Sequence, residues 1–184
     1  MHIQKKPYNC CLENYRGKTS KRQSPRSFLI SIAKRHHLRY DIIVFRLVLD
    51  TDILVAAMRS PEGASSALLK TAANKQVLLL ASVTLAIEYQ AVCTRAEHLL
   101  AAGLTAHEAW EFVQTVISLV EPVITHFLWR PQLNDPNDEM VLEAAVNGGA
   151  NALITFNKRH FGTIPSKFGI DTLTPAEIMR RIKV

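Results

Sequence analysis

An α/β fold built on parallel strands is what the sequence predicts, and three observations predict it. From Arg46 onward, short apolar runs alternate with segments of helical spacing. The runs are continuous and rich in Val, Ile and Leu, as strands buried on both faces require. Helix-start signals recur between them. Strands are expected at 47–49, 77–81, 120–124 and 152–155, with a weaker run at 170–173. Ser82 reads as the N-cap of a helix in which Leu85, Ala86 and Tyr89 lie on helical spacing. Thr105 and Glu108 form a capping box for a helix through Leu119, and Thr174, Pro175 and Glu177 supply N-cap, N1 and N3 of a last helix. Asp135, Pro136 and Asp138 repeat that arrangement and open a helix that runs through Val146 to Gly148 and Gly149. The pattern amounts to about five β-α steps.

The 184 residues, 48% of them hydrophobic, suit one domain with a substantial core. The longest apolar run, 77–87, falls short of the roughly 20 residues that span a bilayer, so no membrane span is expected. Three cysteines, two of them adjacent, show neither a disulfide framework nor zinc-site spacing, which fits a reducing, cytoplasmic setting. The net charge of +6 is unevenly distributed. Residues 1–46 hold 11 of the 22 Lys and Arg but two of the 16 acids, so the remainder carries a net −3. The expected organisation is a basic leader over 1–44, disordered or with a marginal helix near 26–37, followed by the globular domain over 45–184. The leader reads as a polyanion-binding arm, a solvated tail or a stretch upstream of the natural start.

Carboxylates carry the chemical signal. Asp50 closes the strand RLVLD and leads into a helix, at the carboxyl end of a parallel strand, where ligands bind in such sheets. The alternative is a plain strand-end cap. Asp52 reads as a helix start. Glu88 sits about two turns into its helix, where spacing alone favours a solvated residue. Asp138 is at N3, where an acid also serves free amides and the helix dipole, but Asp135, Asp138 and Glu139 together exceed what one cap requires, and the surplus points toward a cation. Asn157 follows another strand end, as a turn residue or as a neutral oxygen ligand that orients water. Lys158, Arg159 and His160 come next, as a phosphate contact or a solvated loop. No HExxH, P-loop, GxGxxG or GxSxG pattern is present. Hard oxygen ligands suit Mg²⁺ or Mn²⁺ rather than zinc.

In order, VLDTDILVAA, SVTLAIEY and DPNDEMVLEAAVNGGANALITFNKRHF resemble the acidic signature of the PIN-domain nucleases, and more narrowly the toxin components of bacterial toxin–antitoxin pairs. The resemblance covers about residues 47–184. It implies a three-layer α/β/α sandwich around the parallel sheet, and a metal-dependent endoribonuclease that hydrolyses RNA with a metal-activated water. By this resemblance Asp50, Glu88 and Asp138 gather one divalent ion, Mg²⁺ or Mn²⁺, and Asn157 falls where the family often has a fourth Asp. Asp52, Asp135, Glu139 and Thr155 are the expected supporting residues, with Arg59, Lys158 and Arg159 as RNA contacts. The implied partners are RNA, a cognate antitoxin and a second copy of the chain. The face with Trp110, Phe112 and Val113 is either such a docking surface or core. Two rival readings remain at this point. One is a PIN-like module that binds RNA or protein without cutting. The other is a phosphatase of the haloacid-dehalogenase type, with Asp50 as nucleophile and Asp52 as acid/base, in which Leu54 departs from the usual Thr or Val.

Overall fold

The structure is a computed structural model and describes residues 44–128 and 130–182. These lie in a compact unit, Ile43–Val184. The expected leader and its helix near 26–37 lie outside the described residues. Strands β1 (Phe45–Leu49), β2 (Val77–Ser82), β3 (Val120–Val123), β4 (Ala152–Ile154) and β5 (Asp171–Leu173) form one sheet of order β3-β2-β1-β4-β5. Every neighbouring pair is parallel, with Leu47 opposite both Leu79 and Ala152 in register. The three central strands read as unbroken apolar runs because both faces are covered. Leu47, Val48, Leu79, Leu80, Leu153 and Ile154 are all essentially inaccessible.

Eight helices among the described residues flank this sheet: α1 (Thr51–Arg59), α2 (Ala64–Ala73), α3 (Val83–Cys93), α4 (Ala96–Ala102), α5 (Ala106–Ser118), α6 (Pro136–Asn147), α7 (Lys158–Phe161) and α8 (Pro175–Ile182). Parallel crossovers are right-handed, so the leftward walk β1-β2-β3 and the rightward return to β4 and β5 put their helices on opposite faces. Accordingly α6 lies along β2, β1 and β4, while α2 packs on β2, α1 and α8. The four expected caps form, the last with the Thr174 amide donating to Glu177 Oε2 and the Glu177 amide to Thr174 Oγ1. Ser82 Oγ accepts from Leu85 N, the Thr105–Glu108 box is reciprocal, and Asp135 accepts from Asn137 N.

The first crossover holds two helices, because Pro61 and Gly63 interrupt the helical run between α1 and α2. Two details differ from the sequence reading. The third strand stops at Val123, and Ile124 is 72% exposed. This is an edge strand, and it tolerates Pro122 for that reason. Asp52 is not the helix start either. Helix α1 begins at Thr51, with Asp50 in the N-cap position. Val113 of α5 is core, whereas Trp110 is largely exposed.

One face of α6 organises the segment before it. Residues 135, 139, 143 and 147 recur every fourth position and so form a stripe. Asn147 Oδ1 accepts from the amides of His126 and Phe127 at 2.9 and 3.0 Å. Glu143 takes Arg130 through two bonds of 2.7 and 2.9 Å. Glu139 Oε1 accepts from the amides of Gln132 and Leu133 at 2.5 and 2.8 Å. A stretch with no regular structure thereby satisfies its backbone. At the far end of α6 a Cβ on Gly148 would stand 2.8 Å from Val123 and 3.0 Å from Leu80, so this residue lets the helix close onto β2 and β3.

Candidate active site

Chain order reverses at β1, whose neighbours are β2 and β4, and the carboxyl ends of β1 and β4 therefore flank a switch-point crevice. Asp50 leaves β1 there and Thr155 leaves β4. The Asp50 amide donates to Ile154 O at 2.9 Å, which extends the ladder by one bond and fixes the carboxylate at the rim. Thr155 Oγ1 donates to Asp50 Oδ2 at 2.7 Å, and the Thr51 amide donates to Asp50 Oδ1 at 2.7 Å. Asp52, half-buried beside it, accepts from the Phe156 amide at 2.9 Å and from the Thr155 hydroxyl at 3.3 Å through Oδ2. Its Oδ1 is buried with no hydrogen-bond partner. Tyr89, 1% exposed, donates its hydroxyl to Leu49 O at 2.6 Å and so ties α3 to the end of β1.

Asp138 enters from the first turn of α6, as its N3 position dictates. Its Oδ2 lies 3.1 Å from His160 Nδ1, which comes from α7. Asp135, Asp138 and His160 each offer a ligand atom, all within 4.8 Å of one another. The two groups are electrostatically continuous. Burial raises the Asp50 carboxyl above its ordinary range, against the pull of Thr155, Thr51 and His160. Asp52 is pushed up to about 6, by burial first and then by the charge of Asp50. Asp138 is also raised, by burial and then by Asp50, with His160 opposing. Among the described residues no Lys or Arg lies within ion-pair distance of Asp50, Asp52 or Asp138.

The other expected residues divide. Thr155 is fully buried and bridges Asp50 and Asp52. Glu88 is on the helix that Tyr89 anchors, one residue before it, but its side chain meets Arg95 at 3.9 Å and is not in the three-residue cluster. Asn157 is exposed and makes no side-chain cap for α7. Glu139 serves the 132–133 amides through one oxygen, while its other oxygen is buried and unpartnered. Of the basic candidates, Lys158 is held by Glu177 at 2.5 Å, Arg59 contacts His98, and Arg159 lines a hollow with Asn134, Asp135, Pro136 and His160. Sequence reasoning missed His160 as a partner of Asp138, having grouped it with the basic loop. Its signal was the spacing Asn157 to His160, one turn apart after a strand end.

A divalent ion fits these residues. Several acids with raised carboxyls, an orphaned buried oxygen on Asp52 and no neighbouring fixed cation constitute a negative site that lacks its counter-charge. A family model described as a PIN domain matches residues 46–159, which include Asp50, Glu88, Asp138 and Asn157. A search of curated proteins returns no match.

Proposed function

Because the chain belongs to the PIN-domain family, whose members are generally nucleases, we propose that it is a divalent-metal-dependent endoribonuclease and the toxin of a toxin–antitoxin pair. The observation that carries the nuclease reading is the rim of the switch point, where buried Asp50 and half-buried Asp52 stand with Asp138 and no Lys or Arg among the described residues lies within ion-pair distance of them. Asp50, Glu88 and Asp138 would hold the ion, and Asp135 and His160 are close enough to Asp138 to join them. When bound, Mg²⁺ or Mn²⁺ supplies Lewis-acid polarisation of the phosphoryl group and neutralises charge on the departing oxygen.

The chain's own residues do the positioning. Thr155 donates to Asp50 and reaches Asp52, so one hydroxyl sets the orientation of both carboxylates. The Phe156 amide holds Asp52 in place. Asn157, exposed on the same loop, orients the attacking water. Water displaces one ester oxygen at phosphorus, leaving a phosphate monoester and a hydroxyl, with no covalent link to the protein.

Toxin action implies an antitoxin and work in the cytoplasm, and no described helix is long and apolar enough to cross a membrane. Exposed Val83, Ile87, Ile124 and Leu128 supply apolar surface for a protein partner, the antitoxin or a second copy. The test is cleavage of single-stranded RNA by purified wild type and by Asp50→Asn and Asp138→Asn with Mn²⁺ or Mg²⁺. Wild type should cut and each variant should lose on the order of 10³-fold. Equal cutting by all three, or cutting that survives EDTA, sinks the reading. Growth arrest on induction of wild type but not Asp50→Asn tests the toxin role.

A further inference from the structure

A cleft of about 560 Å³ opens beside Asp52 and runs along one face of α1. That volume is in the range of small-molecule sites. Its lining follows from helical spacing: Asp52, Val55, Ala56 and Arg59 share a face, Val92 comes from α3, and His98 from α4. Val55 and Val92 are buried and form an apolar floor. Phe156 stands at the catalytic end, 51% exposed, on the loop whose amide bonds Asp52. The rigid anchor at Asp52 keeps that ring in place.

Arg59 lines the same cleft, with Nη2 2.8 Å from His98 Nδ1. A ring nitrogen carries no negative charge, so the contact orients Arg59 without the cancellation a carboxylate partner would bring. No carboxylate among the described residues lies within ion-pair distance of it. Asp52 and Arg59 stand seven positions apart on the helix, a rise of about 10 Å. One nucleotide can reach across that span.

We propose that this cleft is a nucleobase subsite: a base of single-stranded RNA next to the cleaved bond stacks on Phe156 over the Val55–Val92 floor, and the following phosphate is held by Arg59. The aromatic platform, the apolar floor and an uncancelled cation at one end match a base and its phosphate. The subsite rests on the nuclease reading above and gives that nuclease a means of preferring a base beside the bond it cuts.

Binding is measured on the full chain in EDTA, by fluorescence anisotropy with a labelled six-nucleotide RNA and with the same oligomer made abasic at its third position. Phe156→Ala should bind the intact RNA about tenfold more weakly and the abasic oligomer as wild type does. Phe156→Trp should restore binding, and its added fluorescence should be quenched by the intact RNA. Arg59→Gln should reduce the dependence of log affinity on log salt by about one ion. Unchanged RNA binding in Phe156→Ala with no quenching in Phe156→Trp overturns the subsite, including the outcome in which the cleft takes a protein segment instead. Cleavage with Mn²⁺ is followed separately. Loss of cleavage in wild type defeats the nuclease reading, whereas wild-type cleavage with unaltered binding in the variants defeats only the subsite.

Discussion

Two sets of buried acids, one along α6 and one at the end of β1, have similar burial and opposite surroundings. Glu143 is 5% exposed and receives both nitrogens of one Arg130 fork, while Glu139, 2% exposed, collects two backbone amides on one oxygen. Asp50 is also 5% exposed, yet its neighbours are a hydroxyl, an amide and a second carboxylate, Asp52. The α6 acids hold a loop; the β1 acids are held by the fold in a state that raises their pKa. Burial therefore does not distinguish a structural acid from a functional one here. For Glu143 and Asp50 the difference is a compensating cation, Arg130 on the first and no Lys or Arg among the described residues on the second.

The largest effects that would break this contrast are catalytic. Glu88→Gln should reduce metal-dependent RNA cleavage by about 10²-fold with little change in melting temperature, since its ion pair with Arg95 is long and half-exposed. Unchanged cleavage removes Glu88 from the site. Arg130→Ala should cost about 2–3 kcal/mol in urea unfolding, because it leaves Glu143 buried and uncompensated. Asp52→Asn should do the reverse in metal-free protein and raise stability near neutral pH. If both substitutions destabilise alike, the contrast between the two acid sets fails.

The pH dependence sharpens it further. A carboxyl raised to about 6 in the fold, from 3.8, binds its proton more tightly folded than unfolded. Its ionised form costs stability above pH 6, and that cost disappears as pH falls toward 4. After allowance for partial exposure the gain for Asp52 is about 1–2 kcal/mol. Glu177 runs the other way: it is lowered to about 2, chiefly by Lys158, so its contribution is lost only below pH 4.5. Metal-free wild type should therefore melt higher at pH 5 than at pH 7.5, by a margin that shrinks in Asp52→Asn and with saturating Mn²⁺. The smallest effect is expected from Tyr89→Phe, which removes the bond to Leu49 O and leaves that carbonyl short of a donor. It should cost about 1 kcal/mol in the same unfolding assay.

Local physics made much of this protein legible from its sequence. Hydrophobic period, caps such as Ser82, Thr105 and Asp135, and the glycines after α6 act within four residues of one another, so they located the five strands to within two residues and the starts of the capped helices, whereas α2, α4 and α7, which lack such caps, were not separately expected. Asp50 at a strand end was visible for the same reason. Its surroundings were not. Thr155 lies 105 residues away and meets Asp50 only because the sheet order sets β4 beside β1. Asp138 and Glu139 are adjacent in sequence, but one step around a helix turns the first toward His160 and the second toward the 132–133 amides. Which carboxylates go without a cation depends on contacts between distant segments, and those exist only once the chain has crossed the sheet and packed both its faces.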